Sequence, residues 1–381
     1  MILYLGIFFL AVFLYLGNIN QPKSIGALKG MMIFLAIFVG ISDMLGGYDR
    51  YIYGEAFDDV ADALHGNRNI FTSSLVLTFG KEFGYCALNL LVAMFSSNRY
   101  IFILIVTIII YACMYQAFKR YTNNYAFAII LYLGLWFFFS FTYLRQVLGA
   151  SIAWLAIRYV SERNMKRFLI VVFIAMTFHN SAIMFLPLYF IPMKTFSKQR
   201  ILMVMAVLFV LGLTGGPSAL FDAYGNVTGD ARAHENLADA SGFRIAYLIE
   251  AVFFLYFILK NYDLVTQTKE QTVMTNATLV FCGILLFFVK SENGGRLSWY
   301  YMIGVISTLT YIANWQRRLA NTAVVLIFVS LFLYVRVYNS WQLYLNLYPY
   351  KTFFTNGYRE GDYCWQHYEY DHQYDRDKFY R

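Results

Sequence analysis

The chain has 381 residues, 60% of them apolar and only 14% charged, with a mean hydropathy of +0.52 and a net charge of +8. A soluble domain carries about 25% charged residues, and no water-facing fold has room inside for 37 Phe and 33 Tyr beside the aliphatic side chains. The composition excludes a soluble globular protein. It predicts an all-α, polytopic bundle of transmembrane helices, because a helix satisfies its own backbone groups in lipid. The positive charge sits in short loops between apolar runs, where the positive-inside rule places it. No nucleic-acid-binding module accompanies it, so nucleic acid is not an expected partner.

In chain order, the first apolar run, Ile2 to Leu16, has no basic residue before it and no small-residue cleavage site. It reads as a first membrane span rather than a signal peptide. Further apolar segments fall at 26–45, 82–97, 100–118, 124–141, 146–161, 167–178, 180–193, 201–214, 243–260, 273–290, 297–314 and 319–338. Together they predict about 11–13 spans. Residues 1–347 form one multi-span domain with an outer-face loop at 215–241, and a polar, Tyr-rich tail comes after it at 348–381. The tail suits a membrane interface or a sugar-stacking surface. No internal repeat is visible. Cys86, Cys113, Cys282 and Cys364 show no metal or disulfide spacing and read as small buried hydrophobes.

Basic clusters at Lys119/Arg120, Arg158 to Arg167, Lys194 to Arg200 and Arg317/Arg318 are expected to be cytoplasmic. This orientation puts Arg145, Gln146, His179, the loop 215–241 and "SENGGRLSWYY" (291–301) at the non-cytoplasmic face. The N-terminal third threads consistently only with one extra crossing or a re-entrant segment at Ile70 to Phe79.

The polar residues in "WFFFSFTYLRQVLGASIAWLAI" (136–157) are the ones lipid tolerates least. An arginine at the centre of a membrane helix costs at least about 2.5–3.5 kcal/mol on insertion scales. Arg145 therefore needs an anion, either a carboxylate such as Glu82 or Asp49 in a structural pair, or an anionic substrate group. Asp49 and Tyr53 are i,i+4 neighbours if their segment is helical, and Tyr48 adjoins them. Glu82 stands where the chain re-enters the apolar phase. His179 lies between two apolar runs, with Asn180 and Ser181 placed to cap the next helix. Arg296 comes after two glycines that allow close backbone approach, with Tyr300 one turn on. Two arginines, two carboxylates and a histidine on one face suit a phosphate-bearing ligand and proton transfer. No Asp-x-Asp motif lies at that face, and "FDDVAD" (57–62) is the nearest acidic cluster. Neither a metal nor a cofactor is expected.

The succession "GYDRYIYGEAF", "KEFGYCALNLL", "YLRQVLGASIAW", "FHNSAIMFLPLYF", "GGRLSWYY" and "YPYK" resembles the EpsG family, related to Wzy-type O-antigen and capsular polysaccharide polymerases. The resemblance covers about Tyr48 to Lys351. It implies a GT-C-like membrane glycosyltransferase that joins undecaprenyl-pyrophosphate-linked repeat units at the outer face of the cytoplasmic membrane. Its partners are then lipid-linked glycans, membrane lipid and a chain-length regulator protein. In that reading Arg145 and Arg296 hold pyrophosphate, with Gln146 and Asn180 beside them. Asp49, Glu82 or His179 takes the acceptor proton, and Tyr48, Tyr53 and Tyr300 position sugars.

Two rival readings remain. A flippase for lipid-linked sugars also wants intramembrane arginines, but is expected to show a repeat. A membrane acyltransferase could use His179, but "FHNSAIMF" offers no acid at one helical turn.

Overall fold

The computed structural model describes residues 1–228, 242–291, 294–314, 321–342, 347–355 and 371–381. It is all-helical, with no strand among the described residues. These residues cluster into two compact units. The first comprises Met1–Leu155, Ile170–Ile183 and Gln316–Arg381, and the second Ala156–Leu169 and Met184–Trp315.

In the first unit, α1 (Ile2–Gly17), α2 (Ile25–Gly40) and the polar α3 (Tyr48–His65) precede two short pieces, α4 (Ser74–Phe79) and α5 (Phe83–Ala93). The long α6 (Arg99–Tyr121) packs on α2 and on α9 (Leu144–Trp154), while α7 (Tyr125–Leu135) packs on α1. Between α7 and α9 lies the one-turn α8 (Phe139–Thr142). Side-chain oxygens of Ser24, Asn98 and Asn124 accept from backbone N–H groups at the starts of α2, α6 and α7. These are the orphan donors that a helix start must satisfy.

The chain continues through α10 (Ile157–Ser161), α11 (Met165–Phe178), α12 (Pro187–Phe190), α13 (Lys198–Leu213) and α14 (Gly216–Thr228). After it come α15 (Ile245–Lys260), α16 (Lys269–Phe287) and α17 (Met302–Asn314). Within the second unit α16 is central, packing on α13, α15 and α17. Of the expected loop 215–241, Gly216–Thr228 is helical, and 229–241 lies outside the described residues. Cys364 and the central part of the tail also lie outside them.

Among the described residues, three helices are long and apolar enough to cross a membrane: Arg99–Tyr121, Lys269–Phe287 and Asn321–Trp341. A fourth arises if Lys198–Leu213 and Gly216–Ala223, bent by 77°, count as one span. Five more apolar helices are only 10–17 residues long. The expectation of about 11–13 full spans, each needing ~20 residues, is not met by the described helices. The cause is visible between 124 and 161. The composition there is apolar apart from a few residues such as Arg145, Gln146 and Arg158, but the backbone breaks at Trp136 and again at Tyr143. Residues of α7 and α9 are buried in protein almost throughout, where irregular backbone at membrane depth is tolerated.

Two local expectations also change. Ile70 to Phe79 is neither a crossing nor a full re-entrant limb: it is a short 3₁₀ turn (Ile70–Thr72) and then α4, six residues long. Phe71 and Leu77 are exposed on it, as on a segment lying against lipid. The tail is no loose interfacial strand where it is described. Tyr350 stacks on Phe38 at 4.3 Å and donates to the Phe38 carbonyl. Tyr374 donates to Asp58 at 2.9 Å, and the Lys378 ammonium meets Asp43 at 2.9 Å.

Those tail contacts are buried. Asp58 also pairs with Arg99, and Asp43 also accepts from Tyr100. Burial outweighs the cations beside Asp58 and holds its carboxyl above the usual range. Lys378→Met removes the cation paired with Asp43 and leaves a buried carboxylate behind. A loss of about 3–5 kcal/mol is expected, read as a large fall in melting temperature of the detergent-solubilised protein. The exposed pair Arg68–Asp59, at 3.9 Å, is the control: Arg68→Ala should shift stability by no more than ~1 kcal/mol.

Candidate functional site

The site in the first unit starts from the turn before α3. Gly46 and Gly47 have φ of +113° and +102°, a region that only glycine enters without strain. A Cβ on Gly46 would lie 2.6 Å from the Phe141 side chain. The turn thus seats α3 directly against the broken segment that precedes Arg145. Arg50 fixes the contact: its guanidinium donates to the carbonyls of Phe141 at 3.1 Å, Val39 at 3.0 Å and Ser42 at 3.2 Å. Burial lowers Arg50 to about 10, so it stays protonated at neutral pH. Nothing in the local pattern singles out Arg50, which is one of several charges in a polar stretch.

Asp49 lies in the first turn of α3 and Tyr53 one turn further on, as the i,i+4 spacing predicted. Tyr48 is exposed, Asp49 half-buried and Tyr53 buried. Burial pushes the Tyr53 hydroxyl up to about 12, partly offset by Arg145 and reinforced by Asp49 and Glu82. Tyr53 is therefore a neutral hydrogen-bonding group at neutral pH, within electrostatic reach of three of the expected site residues.

Glu82 occupies the N-cap position of α5 but does not cap it. Its carboxylate forms an ion pair with Arg145 and accepts from the Asn180 N–H at 3.1 Å. The close approach that permits this is at Gly84, where a Cβ would collide with the Thr177 hydroxyl. Of the two carboxylates named as partners for Arg145, the one it pairs with is Glu82. The side chains of Arg145 and Glu82 are 11% and 2% exposed. The guanidinium also lies 4.0 Å from the Phe79 ring centroid, 5.4 Å from Tyr53 and 5.7 Å from Tyr85. This is cation–π geometry, strengthened by desolvation. Arg145 Nε is buried without an acceptor, and so is the Tyr85 hydroxyl without a partner.

His179 directly succeeds the apolar α11. Its Nδ1 accepts from the Ser181 N–H at 3.3 Å and lies 2.6 Å from the Ser181 hydroxyl. A neutral imidazole with Nδ1 as acceptor carries its proton on Nε2. Asn180 and Ser181 were expected to act as side-chain caps. Their N–H groups serve Glu82 and His179, and the Ser181 hydroxyl also lies against His179.

The first unit therefore gathers Asp49, Tyr53, Glu82, Arg145, His179 and Asn180 onto neighbouring segments. Gln146, next along α9, is buried. Arg296 and Tyr300 belong to the second unit, in a 3₁₀ segment, Gly294–Tyr301. Gly294 and Gly295 lie against Phe288 and Tyr247, the close approach their presence predicted. Tyr300 is fully buried, so its ring is not available to stack on a sugar. Sequence reasoning missed Tyr85 and Phe79; the signal was Tyr85 close after Glu82 at the start of α5. The acidic cluster is engaged elsewhere, with Asp58 on Arg99 and Tyr374 and Asp62 on Arg381. Among the described residues no three His, Cys, Asp or Glu side chains gather as metal ligands would.

The model of the EpsG family matches residues 27–352. No curated protein and no solved structure matches the chain.

A buried pair behaves asymmetrically on substitution. Arg145→Ala or Glu82→Ala leaves a lone buried charge and should cost about 3–5 kcal/mol, whereas replacing both by apolar residues of similar volume can be close to neutral. Melting temperatures of Arg145→Met, Glu82→Leu and the double variant should show this: two unstable singles and a double that recovers most of the loss.

Proposed function

The chain belongs to the EpsG family, the family of Wzy-type polysaccharide polymerases, and from that membership we propose that it elongates a bacterial surface polysaccharide. Several apolar helices and the family together make it a multi-pass membrane protein. In the proposed reaction both substrates are oligosaccharide repeat units on undecaprenyl pyrophosphate. A hydroxyl of the acceptor unit attacks the anomeric carbon of the donor chain. The C–O bond to the donor's pyrophosphate breaks, the new glycosidic bond forms, the acceptor proton goes to a protein base, and undecaprenyl pyrophosphate leaves. The chemistry takes place at the outer face of the cytoplasmic membrane, on a GT-C-like scaffold, and the product serves as O-antigen, capsule or exopolysaccharide. A chain-length regulator protein is the expected protein partner.

The observation that carries this reading is a family match over residues 27–352 that contains the whole charged cluster from Asp49 to Asn180. The geometry supports particular roles. Glu82 is a poor base, because its oxygens already serve Arg145 and Asn180. His179 uses Nδ1 as an acceptor, so its Nε2 is a donor, suited to an anionic oxygen rather than to proton abstraction. Asp49, half-buried in the first turn of α3, takes the acceptor proton in this reading. Arg145 acts from within its ion pair. Glu82 orients one edge of the fork, and the part of the side chain that stays exposed faces the pyrophosphate in this reading. Preorganised charge of this kind stabilises a leaving group without reorganisation at the moment of reaction.

Asp49→Asn tests the reading. Surface glycans should collapse from ladders to single repeats, with polymerisation down by about 10²–10⁴-fold, the contribution of a general base, at unchanged membrane abundance. Full ladders at normal abundance would remove Asp49 from the mechanism. Purified protein that turns over lipid-linked repeats without any transport step would separate a polymerase from a flippase.

A further inference from the structure

The second unit contains a cleft that the polymerase chemistry does not use. It lies between α13 and α16, with a volume of about 440 Å³. That is within the range of pockets that take small molecules. Its long wall is aliphatic, with Val204, Met205, Leu208 and Val280 among the lining residues, and Phe287 closes one end. The two helices run side by side in the same direction, Leu208 lying against Gly283 and Gly212 against Phe287. Arg200 and Asn276 are both nearer the starts of their helices than the ends, and the surface of the cleft itself is almost wholly apolar. From Arg200 to Leu213 the helix rises about 20 Å, enough to cross one leaflet of hydrocarbon, which is about half of ~30 Å.

Asn276 ties α16 to the segment that leads into α13. It is 3% exposed, and its Nδ2 donates to the Pro192 carbonyl at 3.1 Å. This contact fixes the amide orientation, because an oxygen could not face a carbonyl. Its Oδ1 is buried without a partner. Around the same end, Lys194, Lys198 and Arg200 bring three cations within seven residues, and no acid occupies the first turn of α13. Cations at the N-terminal end of a helix oppose its dipole; an anion there relieves both. Val204, which lines the cleft, is also among the exposed residues of α13, together with Leu202, Met203 and Val207. The cleft is therefore continuous with a surface suited to hydrocarbon, and its occupant can enter from the bilayer.

We propose that this cleft holds one acyl chain of an anionic glycerophospholipid, its phosphate on Arg200 at the basic end. The basic end is the one expected to face the cytoplasm, whereas polymerisation is assigned to the outer face. The lipid is thus a resident of the cytoplasmic leaflet and not the reacting substrate.

The test uses the full chain purified in mild detergent, with co-purifying lipid measured by mass spectrometry and then re-supplied as micelles of phosphatidylglycerol, phosphatidylethanolamine or undecaprenyl phosphate. The wild type should retain phosphatidylglycerol in preference to the other two. Arg200→Gln, an exposed change that leaves the helix intact, should weaken retention by about tenfold or more, as expected for loss of a charge-assisted hydrogen bond. Val280→Trp, which fills the cleft, should abolish it in protein that elutes as wild type. Equal retention by wild type and Arg200→Gln would overturn the proposal. So would preference for phosphatidylethanolamine, which would say that charge is not read. Preference for undecaprenyl phosphate would overturn it too, by making the cleft a substrate site.

Discussion

Arg50 is the constraint on which the first unit depends. A guanidinium with no exposure must find acceptors inside the protein, and it finds three carbonyls that belong to two separate parts of the chain. Val39 and Ser42 lie at the end of α2; Phe141 lies in the break between α7 and α9. Holding these together brings α3 against the start of α9. Asp49 and Tyr53, on either side of Arg50 along α3, are thereby placed near Arg145 rather than left on a solvated loop. The glycine turn at Gly46 and Gly47 makes the approach sterically possible, and the Arg50 hydrogen bonds make it specific.

The same rule, that a charge inside this fold must be answered within the fold, governs the other ionic groups. Arg99 is met by Asp58, Lys378 by Asp43 and Arg145 by Glu82. Such pairs add little net stability, because desolvation consumes most of the Coulombic gain, but breaking one is expensive. Their value lies in fixing geometry. Glu82 links α5, α9 and the turn after α11 through one carboxylate, and so holds His179 on the same part of the unit as Arg145. The tail does the equivalent for α3 through Asp58 and Asp43. A polymerase that must release a large, charged leaving group benefits from donors already held in place, since reorganising them would raise the barrier.

The sequence alone determined the solvent and the family. Low charge and an excess of aromatic and aliphatic residues made a helical membrane protein the only packing solution, and the match to one family over residues 27–352 agrees with the motifs from Tyr48 to Lys351. The i,i+4 relation of Asp49 and Tyr53 was legible because it is local to one helix. So was the need of Arg145 for an anion, because lipid tolerates no unpaired guanidinium.

Tertiary structure decided what local pattern cannot carry. Which anion answers Arg145 depends on Gly84 lying against Thr177, a contact between residues far apart in the chain. The span count differed because a largely apolar composition does not register backbone breaks at Trp136 and Tyr143, which surrounding protein permits. The tail read as interfacial because Tyr, His and Asp are amphipathic or polar residues; only folding shows Tyr374 and Lys378 meeting carboxylates near the other end of the chain. Pairings at such separations leave no periodic trace in the sequence: they arise from where the helices pack, and packing is a property of the whole fold.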